Sequence, residues 1–380
     1  MVLICKENDC TGCAACENAC KQKAIKMVYN AEGFLHPDIS NDKCIECKAC
    51  ITVCPVVNYK STDKRYPINA YKGNSKNIDL LKFSTSGGIF SEIASIIFSE
   101  NGVVFGAILD EDLHVKHIVA ENMNDLTDLR GSKYIGSNLT GIYNDVISRL
   151  KRGQKVLFSG TPCQVAGLYR ILGGVHNQLI TCDFVCHGVG SQIIFEKYIH
   201  YNELLHKAQA KKIYFRSKQR GYLNSSMVIE YDNGEQTISP SYRNGFGYAF
   251  SRGMINRKAC SHCLYASPER LSDITLCDCI HGLEPFEKKN GCSYILVNSE
   301  LGRECILKAN LNLLEIEISK VMQMQPHLST PQKMNIQRDA IMRDLSKSYD
   351  LLYHQYLMPP RRNLFKSIKE RIKHAKSKWH

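Results

Sequence analysis

Cys10, Cys13, Cys16 and Cys20 fall within eleven residues, and Cys44, Cys47, Cys50 and Cys54 repeat the same spacing. Each run reads C-x-x-C-x-x-C-x-x-x-C. Three thiolates held that closely can reach three corners of one iron–sulfur cubane. A fourth, one short helical turn further on, points toward a neighbouring cubane. The spacing assigns Cys10, Cys13, Cys16 and Cys54 to one 4Fe–4S cluster. It assigns Cys44, Cys47, Cys50 and Cys20 to a second. Zinc also takes four thiolates, but usually as two C-x-x-C pairs separated by a longer loop rather than as triplets plus one. Lys21 stands where proline often follows the fourth cysteine, whereas Pro55 follows Cys54. Cys5 lies outside the pattern and is expected to pack near the core.

The paired runs are the pattern of a bacterial two-cluster ferredoxin. The segment between them fits. Ile25-Lys26-Met27-Val28-Tyr29 alternates as a strand, Asn30-Ala31-Glu32-Gly33 is a turn, and Phe34-Leu35-His36-Pro37 begins the return. About sixty residues bury too little apolar surface to be very stable alone, so two clusters would act as cross-links. Residues 1–60 are read as this domain, and the polar stretch 58–69 as a linker.

Beyond it, apolar runs alternate with helical patterns. Strands are expected at Val103–Leu109, Lys155–Ser159, Leu179–Val185 and Ser293–Val297. Helices are expected at Gly88–Glu100, Leu139–Lys151, Gln164–Leu172 and Gln192–His206. This alternation favours an α/β domain with a largely parallel sheet. Ile213–Arg216 and Met227–Tyr231 read as an antiparallel extension of it. The fold class is therefore α+β overall: a small ferredoxin-like domain, a mixed α/β domain at 66–310 (parts 66–145 and 146–310), and a helical extension with a basic tail at 311–380.

Three places in the larger domain carry chemistry. Thr85-Ser86-Gly87-Gly88 precedes a helical run, where backbone N–H groups can approach a phosphate; an ordinary Ser-capped helix is the competing reading. Arg130-Gly131-Ser132-Lys133-Tyr134 offers cations, a hydroxyl and a ring, against the plainer reading of a solvated charged turn. Gly160-Thr161-Pro162-Cys163 follows a buried strand, where open α/β sheets bind ligands. Cys186-His187-Gly188 ends the next strand, so Cys163 and Cys186 emerge on one side if the two strands are parallel. His187 either faces a redox centre or supports the loop. Cys182 lies mid-strand and is expected to be buried as a small hydrophobe. Cys260 and Cys263 form a lone C-x-x-C. With Cys163 and Cys186 they make four thiolates, the composition of a third 4Fe–4S cluster. A zinc site and unlinked buried thiols remain alternatives, and Cys277 and Cys279 compete as ligands.

The sequence resembles the coenzyme F-420 hydrogenase/dehydrogenase β-subunit family, in the form with an N-terminal two-cluster ferredoxin. The resemblance spans roughly 1–310. It rests on STSGG (84–88), LRGSKYIGS (129–137), VLFSGTPCQVAGL (156–168), DFVCHGV (183–189), CSHC (260–263) and SDITL (272–276). It implies a flavin enzyme, with FAD in the α/β domain beside a 4Fe–4S cluster. Thr85, Ser86, Gly87, Gly88, Ser132, Lys133 and Thr161 are then expected at the FAD. Cys163, Cys186, Cys260 and Cys263 are expected around the third cluster. Electrons would pass between clusters and flavin, and onward to an organic two-electron partner such as a deazaflavin or a metabolite of surface-polysaccharide synthesis. The alternative is a non-catalytic relay feeding a separate redox partner protein. The family commonly continues SDITL with Gly-Asp-Phe-Trp-Gly. Here Cys277-Asp278-Cys279-Ile280-His281-Gly282 follows, so the acceptor is expected to differ or turnover to be lost.

The bulk properties narrow the setting. Eighteen cysteines exceed what packing needs, and a reducing compartment would not pair them. No apolar run is long enough to span a bilayer and no secretory signal is visible, so a cytoplasmic location is expected. The net charge is +12, but residues 359–380 hold eight Lys/Arg and one Glu, which is +7 of it. Charge so confined disfavours nucleic-acid binding. Phe365, Ile368, Ile372, Ala375 and Trp379 repeat at helical spacing within that basic tail, as in a helix lying on an anionic membrane surface. Residues 329–357 read as helix covering the main domain.

Overall fold

The computed structural model describes residues 2–59 and 64–360. The basic-tail reading from 361 onward and part of the expected linker fall outside them. Among the described residues, no helix is long and apolar enough to cross a membrane.

The N-terminal segment folds as its pattern implies. β1 (Ile25–Tyr29) and β2 (Leu35–Ile39) pair antiparallel from Ile25↔Ile39 to Tyr29↔Leu35. Ile25 and Met27 face inward, as period-two alternation demands. The Asn30 side chain closes the turn by accepting from Glu32 N and Phe34 N at 3.2 and 3.0 Å. The two cysteine runs repeat in backbone as well as in sequence. Gly12 and Ala14 of the first run have φ +71° and +61°. Glu46 and Lys48, their counterparts in the second, have φ +54° and +61°. Three of these four are non-glycine residues in the left-handed region, which typically costs about 1 kcal/mol or more each. Each turn then enters a short helix, Ala15–Ala19 or Ala49–Thr52.

The larger part is built on one nine-stranded sheet. Its strands are β3 (Asn69–Ser75), β4 (Val103–Leu109), β5 (Val115–Ala120), β6 (Ser137–Asn138), β7 (Val156–Ser159) and β8 (Leu179–Phe184), with β12 (Ile274–Asp278), β13 (Ser293–Val297) and β14 (Leu311–Glu315). Their order is β14-β3-β13-β12-β8-β7-β4-β5-β6. The four central strands, β12, β8, β7 and β4, run parallel. Of the flanking pairs only β5–β6 is parallel. β3, β13 and β14 join antiparallel, and so does β5 on β4. The sheet is thus mixed, with a parallel centre, rather than largely parallel. β14 falls at the start of the segment read as a helical extension.

Ile213–Arg216 and Met227–Tyr231 do not extend this sheet. They lie within β9 (Ala210–Ser217) and β10 (Ser226–Tyr231), which with β11 (Gln236–Pro240) form a separate antiparallel three-stranded sheet. Their inner faces pack with Phe195, Phe246 and Phe250 in a core that also takes in Phe34 and Val115. Residues 329–357 are not one helix either. They break into Arg338–Arg343, Tyr349–Leu352 and a π turn at Tyr353–Leu357.

Two motif aspartates act as staples across the parallel centre. Asp273 accepts from Thr181 N and Oγ1 at 2.9 and 2.8 Å, and from Ser299 Oγ at 2.6 Å. Asp183 accepts from Thr275 Oγ1 at 2.6 Å, with Arg270 3.8 Å away. Every one of these groups except Ser299 is buried. Polar side chains survive in such a core only when paired in this way. They fix β8 against β12, and so fix where Cys186 and Asp278 emerge.

The N-terminal unit is packed into the rest. Cys13, Ala15, Cys16 and Leu35 share one apolar core with Phe105, Tyr143, Val165 and Leu168. A Cβ on Gly167, in the helix Pro162–Leu172, would press on Tyr143 OH at 3.1 Å and just touch Ala15 Cβ and Cys13 Sγ at 3.4 Å, so the helix lies directly on the first run. Arg257 donates to Cys10 O at 2.9 Å and Leu35 O at 2.8 Å, and stacks over Phe34 at 5.2 Å. Gly12 makes room for it, since a Cβ there would lie 2.8 Å from the guanidinium. Arg338, fully buried, donates to Glu32 at 3.1 and 2.5 Å and to Asn256 O at 2.7 Å.

Candidate iron–sulfur centre

The eight cysteines of the paired runs ring two cavities. Cys10, Cys13, Cys16 and Cys54 line one. Cys20, Cys44, Cys47 and Cys50 line the other. The crossover read from the spacing is what the backbone does: each fourth cysteine faces the cavity of the other run. Apolar side chains close both, Met27, Pro37 and Val56 around the first and Ile25, Ile39 and Ile45 around the second. A soft-donor pocket with apolar walls fits a cubane. Among the described residues, no three His, Cys, Asp or Glu side chains are grouped as they would be around a single metal ion.

The cavities differ in depth. Cys13, Cys16 and Cys54 are buried, whereas Cys47, Glu46 and Lys48 are exposed. The second cavity therefore lies toward solvent and the first toward the sheet. Cys5 packs against the core, as expected, and it also lines the first cavity beside Cys10 and Cys54. Its thiol lowers the pKa of Cys54 to about 6, although burial opposes it.

A third set of thiols meets beside the first cavity. β7 and β8 are parallel, so the loops after them lie at one edge of the sheet. Cys163 sits in the first turn of the helix Pro162–Leu172, and Cys186 follows β8. Cys260 and Cys263 come from the turn Lys258–His262 and the residue after it. The pKa values of Cys163, Cys186 and Cys260 are raised, in part by repulsion from the neighbouring thiols of the set. Burial is nonetheless the largest cause, pushing Cys163 up to about 11 and Cys260 up to about 12. Gly188 N and Tyr265 N each donate to a sulfur, Cys186 and Cys263, at 3.4 Å. Backbone N–H groups on sulfur are a principal means of tuning a thiolate-held cluster. The helix that carries Cys163 packs on the first run, with Tyr143 OH 2.8 Å from Cys13 O and 2.9 Å from Gln164 O, so the third set adjoins the first cavity. Cys182 is buried, as expected. Cys277 lies on β12 near Arg270 and Asp183, and Cys279 N donates to Cys292 O; neither joins the third set.

The residues expected at a flavin divide into two groups. Thr85 and Ser132 meet, with Ser132 N donating to Thr85 Oγ1 at 3.2 Å. The 130–134 segment is no solvated turn: Tyr134 stacks on Phe250 at 4.5 Å, and Arg130 Nε is buried without a hydrogen-bond partner. Gly88 is the left-handed N-cap of the helix Ile89–Ser99, which has no side-chain cap, so the Ser-capped alternative does not hold. The other polar groups are engaged within the chain. Ser86 donates to Cys292 O at 2.6 Å, and Gly87 N to Ser293 Oγ at 2.9 Å. Lys133 donates to the carbonyls of Asp128, Leu129 and Arg130 at 2.9, 3.2 and 2.8 Å, which uses all three of its protons. Thr161 lies apart, capping the helix Pro162–Leu172 with Gln164 and touching Cys163 Sγ at 3.1 Å.

A polar cluster that the sequence did not announce occupies the same edge of the sheet. Arg216 pairs with Asp278, which Tyr222 approaches at 3.5 Å, and Ser86 Oγ lies 3.2 Å from Tyr222 OH. His187 packs edge-on against His327 at 4.5 Å. Arg216 stands on β9, far from any motif. Arg257 was equally silent, although its place just before Cys260 was a weak signal.

Two family models match the chain. Residues 9–58 match the 4Fe-4S dicluster domain. Residues 153–322 match the C terminus of the coenzyme F420 hydrogenase/dehydrogenase β subunit. The segment 153–322 contains Cys163, Cys186, Cys260 and Cys263, together with Arg216 and Asp278. Thr85–Gly88, Ser132 and Lys133 lie between the two matched regions. A solved structure described as xenon derivatization of the F420-reducing [NiFe] hydrogenase complex from Methanosarcina barkeri contains a similar chain. The two are 16% identical, over 78% of this chain and 93% of that one, with a TM-score of 0.47. No curated protein sequence matches.

Proposed function

We propose that this iron–sulfur electron-transfer protein is an oxidoreductase that exchanges electrons between its clusters and an organic two-electron partner through FAD. The observation that carries this reading is the packing of the Cys163 helix on the first cysteine run, where Tyr143 OH lies 2.8 Å from Cys13 O and 2.9 Å from Gln164 O, which brings four further thiols beside the two-cavity ferredoxin unit. A 4Fe–4S cluster supplies one-electron exchange, and a flavin supplies both one- and two-electron exchange.

The chain's own residues have defined parts in this reading. Cys44, Cys47, Cys50 and Cys20 hold the solvent-facing cluster. Cys10, Cys13, Cys16 and Cys54 hold the inner one. Cys163, Cys186, Cys260 and Cys263 hold a third at the sheet edge. Arg257, between the first and third sets, adds positive charge beside Cys10, Cys163 and Cys260, offsetting the charge of the thiolates. Arg130, with Nε buried and unpartnered, is the cation best placed to receive an anionic group of FAD, beside Thr85, Gly88 and Ser132. Arg216, Asp278 and Tyr222 then stand where an organic partner would be oriented. A deazaflavin is the first candidate, since the matched family is defined by it. The altered 277–282 stretch makes a different carbonyl or glycan metabolite the second.

Anaerobic purification with iron, acid-labile sulfide and flavin quantitation tests the cofactor set. About twelve iron atoms and one FAD per chain are expected. About eight iron atoms with no flavin would instead support the relay reading, in which a separate partner performs the two-electron chemistry. Photoreduction followed by oxidation with a deazaflavin then tests turnover.

A further inference from the structure

Cys279 and Cys292 belong to none of the three cysteine sets. Cys279 follows β12 directly and Cys292 precedes β13 directly. The register of this antiparallel pair runs from Ile274↔Val297 to Asp278↔Ser293. The next opposed pair is Cys279 and Cys292, and Cys279 N donates to Cys292 O at 3.2 Å. Opposed residues in such a hydrogen-bonded pair have Cα atoms about 5.5 Å apart. That lies within the roughly 4.4–6.8 Å that disulfides span. Directly opposed side chains also share a face of the sheet, and the Cys292 thiol, which donates to Gly73 O at 3.4 Å, lies on that face beside Cys279. The strands need not slip in register for the sulfurs to join, but the Cβ atoms of such a pair, about 5 Å apart, must close by about 1 Å.

The surroundings make the two sulfurs unequal. The Cys292 thiol beside it holds the Cys279 pKa below the usual thiol value, with further help from Tyr294 and Lys72. Cys292 is pushed up by the same contact and by burial, and the Glu287 carboxylate adds to this. Lys72 is itself held by Glu287 at 2.6 Å and Gly282 O at 2.7 Å. A thiol that ionises readily beside one that keeps its proton is the arrangement of an attacking and a resolving cysteine. Both side chains are buried, under the exposed stretch Ile280-His281-Gly282, whose His281 O accepts from Cys279 Sγ at 3.6 Å.

We propose that Cys279 and Cys292 form a redox-active dithiol that closes reversibly to a disulfide by exchange with a small-molecule disulfide. The Cys279 thiolate attacks one sulfur of that molecule, forming a mixed disulfide and releasing one thiol. Cys292 then attacks the Cys279 sulfur, closing the intrachain bond and releasing the second thiol. The two S–H bonds the protein loses are the two the small molecule gains. This site stands independently of the iron–sulfur and flavin assignments. It occupies the stretch where the related family carries Phe-Trp, and its strand ends also hold Asp278 and the carbonyl that accepts from Ser86.

The test uses the full chain, purified anaerobically with its iron, in graded mixtures of oxidised and reduced glutathione. Samples are acid-quenched, alkylated, digested and mapped by mass. A peptide pair joined through Cys279 and Cys292 is expected, its fraction following a two-electron dependence, with iron content constant and Cys305 alkylated throughout. In C292S, Cys279 should instead carry glutathione. Should C292S fail to fold, C292A serves the same purpose, and the wild-type map decides by itself. The proposal is overturned if both thiols stay alkylatable at the most oxidising ratio. It is equally overturned if they pair with other cysteines, or if the bond appears only in step with iron loss.

Discussion

Cys5 is the residue that most changes the local picture. It places a fifth thiol in a four-thiolate pocket, beside the sulfurs that would hold a cluster. A thiol there can donate to a cluster sulfur, and such bonds favour the more electron-rich state and raise the potential. Cys5→Ala should therefore leave iron content unchanged and lower the potential of the inner cluster, read by an EPR-monitored titration. An unchanged potential would show that the thiol only fills space. His117 makes a second prediction at this scale. Burial depresses its pKa to about 4, its Nε2 lies 2.9 Å from Ser159 O, and its Nδ1 is buried without a partner. Nε2 must carry the proton that faces the carbonyl, and a second proton on Nδ1 would have no acceptor. The unfolded imidazole titrates near 6.5, so its stabilising contribution is whole above that pH and is lost as pH falls toward 4. At about 1.4 kcal/mol per unit, the loss is at most about 3 kcal/mol. Urea midpoints measured from pH 7 to 4 should fall more steeply in the wild type than in His117→Gln.

Lys133 argues at the scale of the element. It caps the short helix Leu126–Leu129 by taking its last carbonyls, and so shapes the 130–134 turn that carries Ser132 and Arg130. Lys133→Ala should destabilise the fold by about 1–3 kcal/mol, the range for charged hydrogen bonds lost from a partly buried site. Flavin content should fall only to the extent that the turn loosens. A large loss of flavin with an unchanged urea midpoint would place Lys133 on the cofactor instead. The same scale explains which elements were legible. Ser293–Val297 and Gln192–His206 were read to the residue because apolar runs and helical periodicity declare themselves locally. The segment 329–357 misled because its apolar spacing suits a helix, while its packing against the Phe246 core breaks it into short turns.

At the scale of the whole molecule, two arginines bind the ferredoxin unit to the rest. Arg338 comes from the C-terminal segment and reaches the hairpin turn at Glu32, and both it and Arg257 stack on Phe34. Removing one partner of a buried ion pair costs about 3–5 kcal/mol, and somewhat less here because Glu32 is partly exposed. Arg338→Ala should lower stability by about 2–3 kcal/mol in urea unfolding, with iron content kept when the protein is purified cold. Equal stability would mean that the apolar core under the hairpin suffices to dock it.

The sequence by itself determined the two cysteine runs, their crossed assignment to two pockets and three of the four strands at the parallel centre, β4, β7 and β8, but not β12. Those features are set by spacing along the chain, which a cubane or a pleated strand reads directly. Only the tertiary structure decided that Cys5 enters the first pocket, that the helix carrying Cys163 packs on the first cysteine run, and that Cys279 faces Cys292. It also decided that Arg216 meets Asp278. These depend on sheet order and register, and neither can be read from separation along the chain. Strands far apart in sequence become neighbours because the buried staples at Asp183 and Asp273 and the shared apolar core leave them one way to pack.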